Sequence, residues 1–134
     1  MTRAARYAYA ILSWGFLVGV VLQVFFIGLA LFSDPSSVEN HRTLGWILHL
    51  VPIVILGAAA LSRAGRRHWQ WAFGLAAVVF IVPILATMSD VLGALHPVGA
   101  LITFWLAIVV ARNSLEAVRQ TDAAADGSPA TATA

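Results

Sequence analysis

Four long apolar runs, separated by short polar stretches, dominate the chain; they cover about residues 8–32, 44–61, 69–88 and 91–111. Each approaches or exceeds the roughly 20 residues that an α-helix needs to cross a bilayer core. The pattern predicts an all-α, integral membrane, four-transmembrane-helix antiparallel bundle. The first run is longer than the apolar core of a cleavable signal peptide, about 7–15 residues, and no small-x-small site precedes the next loop. It is expected to stay as a membrane helix. The transmembrane domain is expected over residues 1–120. Residues 121–134, TDAAADGSPATATA, are small, polar and aperiodic, and are expected to form a disordered cytoplasmic tail.

Composition agrees with the pattern. The 134 residues are 60% hydrophobic and only 10% charged, where a soluble domain averages roughly 25% charged residues. The absence of cysteine excludes disulfides, iron–sulfur clusters and thiolate metal sites. All eight basic residues are arginine. A lysine-free chain rich in Ala, Val and Leu points to a GC-rich bacterial genome, and so to a bacterial plasma (inner) membrane. The net charge of +2 does not indicate nucleic acid. Most arginines instead sit where membrane topology wants them. Arg3 and Arg6 precede the first run, Arg63, Arg66 and Arg67 lie between the second and third, and Arg112 and Arg119 follow the fourth. Only Arg42 falls on the other side. By the positive-inside rule both termini are cytoplasmic. Trp14, Trp46, Trp69, Trp71 and Trp105 lie mostly toward segment ends, as interfacial anchors do.

Polar residues inside membrane segments default to functional candidates. Here they are Gln23, His49 and His96, with His41 at the outer rim. Counted from Arg63, Arg112 and Arg6, they lie roughly 21, 24 and 25 Å from the inner boundary for His49, His96 and Gln23. His41 lies about 12 Å farther out than His49. His41, Gly45 and His49 share one helical face. His96, Ala100, Thr103 and Ala107 share another, with Gly99 beside it. Pro52 and Pro83 interrupt the second and third segments, and Pro97 suits the first turn of the fourth. His68, in RAGRRHW, is expected to face solvent or lipid headgroups.

Three readings of the histidines follow. The first is b-type haem, held by His49 and His96 on facing helices, with His41 and His96 as the alternative pair. Arg42 or His41 would then meet a propionate, Gln23 and Thr103 would support the ligands, and the chain would serve electron transfer. The second is a cofactor-free scaffold or accessory subunit, in which His and Gln make interhelical hydrogen bonds. Its partners would be the bilayer and a membrane-protein subunit or a second copy. The third is a small transporter or enzyme. A zinc site needs about three protein ligands, and His41 and His49 are too far apart to share one ion. No nucleophile–base pair or phosphate loop is visible, so an enzyme is the weaker expectation and no catalytic residue is assigned.

The order of features LQVFFIGLALF, HRTLG and LHPVGALITFWLAIVVAR resembles a family of small uncharacterised bacterial four-helix membrane proteins, over roughly residues 7–112. The resemblance implies Gln23, His41, Gly45, His96 and Pro97 as signature positions, and no established activity. A looser similarity, of architecture only, is to four-helix b-type cytochromes, which place haem between histidines on their second and fourth helices.

Overall fold

A computed structural model describes residues 2–125. They form helix α1 (Thr2–Phe32), α2 (Ser37–Leu61), α3 (Arg66–Ala86), the single turn α4 (Asp90–Gly93) and α5 (Leu95–Ala125). Among the described residues, four helices are long and apolar enough to cross a membrane. The four-helix prediction therefore holds. The helices overrun the apolar runs at several ends, because the polar residues that flank a span are as able to be helical as those within it. α2 takes in Ser37–Thr43, ahead of the second apolar run, and a single turn, α4, stands before α5. α5 runs on to Ala125 and takes in the first five residues of the expected tail; the rest of that tail, 126–134, lies outside the described residues.

The helices form a ring. α1 packs on α2 and α5, and α3 packs on the same two, so α2 and α5 are diagonal, as are α1 and α3. Short connections make neighbours antiparallel and bring Thr2 of α1 and Ala125 of α5 to one end of the bundle, its inner end. Large apolar side chains point outward around the whole surface; Leu31, Trp46 and Leu101 are 72%, 74% and 70% exposed. In water that would be costly, and in lipid it is what a bundle of this kind presents.

The packed core is not evenly distributed. Tyr9, Phe16 and Val20 of α1, Ile55 and Ala59 of α2, Leu75 and Val79 of α3, and Leu106 and Val110 of α5 form one cluster. All belong to the inner half or the middle. At that end Arg6 ties three helices together. Its Nε donates to the Ser62 carbonyl at 3.1 Å, and its Nη1 to the Ala117 carbonyl at 3.2 Å and to Thr121 Oγ1 at 2.9 Å. Ser62 is the C-cap of α2, where a cation is favoured. Toward the other end the side chains on the bundle axis become polar or small, and the core opens.

Candidate functional site

The opening is a cavity of about 540 Å³ in the outer half of the bundle, between all four long helices. Pockets that hold small molecules typically run about 300–1,000 Å³. Its apolar walls include Phe16, Val20 and Val79. Gln23, His41, His49, His96 and Thr103 bring polar atoms into it.

His41 and His96 meet across the bundle. Their ring centroids are 6.4 Å apart and the rings are nearly perpendicular, at 73°. They come from the diagonal helices α2 and α5. Each is held from behind by the backbone of a third helix. His41 Nδ1 donates to the Gln23 carbonyl of α1 at 3.1 Å, and His96 Nδ1 to the Val82 carbonyl of α3 at 3.0 Å. A carbonyl oxygen only accepts, so Nδ1 carries the proton in both rings. In the neutral ring the Nε2 lone pair is then free. This is the hydrogen bond that orients metal-bound histidines.

His49 is not part of the pair. Its ring lies 4.2 Å from that of Phe80 and 6.1 Å from that of Trp46. The expected match in depth between His49 and His96 fails for a physical reason. It took Arg112 as the inner boundary, but α5 continues through the Arg6 clamp at Ala117 and Thr121. Measured from Arg119 instead, His96 is about 34 Å out, close to the roughly 33 Å that separates His41 from Arg63. His96 sits in the first turn of α5, at the rim, level with His41.

The remaining candidates fall into place around the pair. Gly45 lies against the Gln23 amide, where an added Cβ would stand 2.9 Å from Nε2. Gly99 lies against Val82, with an added Cβ at 2.6 Å from Cγ2. Gly99 thus lets α5 approach α3 closely, and Gly45 lines the cavity beside the Gln23 side chain. Arg42 is exposed at the mouth and pairs with Glu39 at 3.7 Å, one helical turn away. Inside the cavity three buried polar atoms have no partner: Gln23 Oε1, His49 Nδ1 and Thr103 Oγ1. The sequence reading missed Val82, whose carbonyl holds His96. Nothing in the sequence marked it: Pro83, next to it, lacks the N–H that would serve the Val79 carbonyl four residues back, not that of Val82.

The family described as "Family of unknown function (DUF6220)" matches residues 23–89, half of the chain. The chain belongs to DUF6220. No curated protein and no solved structure matches it. The matched part of this DUF6220 chain starts at Gln23 and contains His41, Gly45, His49 and Val82; His96 lies outside it.

The inner end of the DUF6220 bundle holds a second set of buried polar groups. His68, expected at the surface, is only 4% exposed. It stands edge to face with Tyr9 across the other diagonal, with ring centroids 6.1 Å apart. The correction has a readable cause. His68, Ala72, Leu75, Ala76 and Val79 form one helical stripe, all buried, and His68 is its first member. Asn113 of α5 is buried too, at 3% exposure.

Proposed function

We propose that this DUF6220 protein is a multi-pass protein of a bacterial plasma membrane, with both termini cytoplasmic, that holds a b-type haem between His41 and His96 and serves electron transfer. The observation that carries the reading is the facing pair with both Nδ1 protons tied to backbone carbonyls. Two imidazoles that bind one ion from opposite sides, at about 2 Å each, hold their ring centroids about 6 Å apart. The observed 6.4 Å fits that span. The cavity volume and its orphaned polar atoms fit an occupant as well. His41 replaces His49 as the partner of His96. Arg42 at the mouth is suited to an anionic substituent such as a propionate. A haem in this place would supply one-electron chemistry. The protein would position it, exclude water and set its potential.

The test is a dithionite-reduced minus oxidised absorption spectrum of protein purified in mild detergent from haem-replete cells. Sharp Soret and α bands are expected. They should vanish in His41→Ala and in His96→Ala, and persist in His49→Phe. A colourless wild-type protein would refute the reading. For topology, a reporter fused beyond Ala125 should read cytoplasmic; a periplasmic readout would break the proposed orientation.

One observation favours a second reading, a cofactor-free scaffold or accessory subunit. The two histidine bonds each join neighbouring helices, α2 to α1 and α5 to α3. Such bonds stabilise membrane bundles by about 0.6–2 kcal/mol. A colourless protein that co-purifies with a stoichiometric membrane partner would establish it. For the transporter or enzyme reading, no group of three or more His, Cys, Asp or Glu among the described residues could hold a metal ion.

A further inference from the structure

Three side chains at the inner end lack hydrogen-bond partners although they are closed off from solvent: Tyr9 Oη, His68 Nδ1 and Asn113 Nδ2. The residues are 0%, 4% and 3% exposed. They come from α1, α3 and α5. Packing of Val82 against Gly99 sets the register of α3 on α5. Fourteen residues inward along each helix from that contact, His68 comes opposite Asn113. On α1, Arg6 reaches the Ala117 carbonyl. Tyr9, one turn farther along α1, then faces the turn of α5 that carries Asn113. The Tyr9 and His68 rings already touch.

We propose that an ordered water sits between Tyr9 Oη, His68 Nδ1 and Asn113 Nδ2 and joins α1, α3 and α5. Native proteins rarely leave such groups unpaired, and buried waters typically make about three hydrogen bonds to groups of this kind. Water can accept from the Asn113 amide and donate to or accept from His68 and Tyr9. The inference is independent of the haem reading.

The test uses full-length protein in lipid nanodiscs, labelled with ¹⁵N at His and Asn. Magnetisation transfer from water protons to the Asn113 amide and to the His68 ring is expected. Its absence at both, while exposed loop amides still receive it, overturns the proposal. A second measurement compares thermal unfolding of Tyr9→Phe, Asn113→Leu and the double variant. A shared water makes the double variant no less stable than the weaker single, and fully additive losses overturn the bridge.

Discussion

His49 packs on Phe80, ring centroid to ring centroid at 4.2 Å, and stands apart from the contact between His41 and His96. Its buried Nδ1 has no partner. His49→Phe removes that orphan and keeps an aromatic ring beside Phe80. Stability should stay level or rise by about 1 kcal/mol, as for removal of an unsatisfied polar group. Thermal unfolding in detergent measures this. A clear loss of stability would show that His49 does have a binding partner.

Gly99 lets α5 approach Val82, whose carbonyl holds His96. Gly99→Ala places a methyl 2.6 Å from Val82 Cγ2, so one of the two helices must move. Overpacking of this kind costs about 1–3 kcal/mol. The double variant Gly99→Ala/Val82→Ala should recover part of that loss, since the second change vacates the contested space. No recovery in thermal unfolding would place the strain elsewhere.

Arg6 holds three acceptors from two other helices. Arg6→Ala should destabilise the bundle by about 2–3 kcal/mol, the scale of hydrogen bonds to a charged group in a partly buried place. Lysine, a point charge with a single nitrogen, should restore little, because it cannot reproduce the guanidinium fork. Hydrogen exchange gives a local readout. Amides of α5 beyond Ala117 should exchange faster in Arg6→Ala, while those of the central helices change only with global stability.

Asp34 lies in the outer loop between α1 and α2. The Ser36 hydroxyl and then the Ser36 backbone N–H donate to its carboxylate and hold its pKa below the usual carboxylate value. A group lowered by folding contributes stability above its unfolded pKa of about 3.9. That contribution falls away as pH drops through the lower, folded pKa. The Asp34 carboxyl should therefore titrate below about 3.9 by carbon-detected NMR, and the Ser36 amide should lose protection over the same acid range. Asp34→Asn should make the Ser36 amide insensitive to that range.

Much of the fold was legible in the chain. Span count, helix type and the likeness of both ends follow from four apolar runs and from arginines placed on one side of them. These are one-dimensional properties: a bilayer sets a length, and charge sets a side. The candidate residues were legible too, because polar groups in apolar runs stand out. Their pairing was not. The depth count for His96 rested on where α5 meets the inner boundary, and Arg112 was the nearest charge in sequence rather than the boundary itself. The inward face of His68 was readable from its helical stripe, and was masked by the three arginines before it.

Sequence thus sufficed for everything that depends on distance along a single helix. Which helices are neighbours, and which diagonal, depends on how four surfaces share one core. That arrangement put His41 opposite His96 across α2 and α5, set His49 against Phe80, and matched Tyr9 with His68 on the other diagonal. It also left the outer half of the core open while the inner half closed. Small residues such as Gly45 and Gly99 do not announce their partners, because what they contribute is room, and only packing shows what fills it.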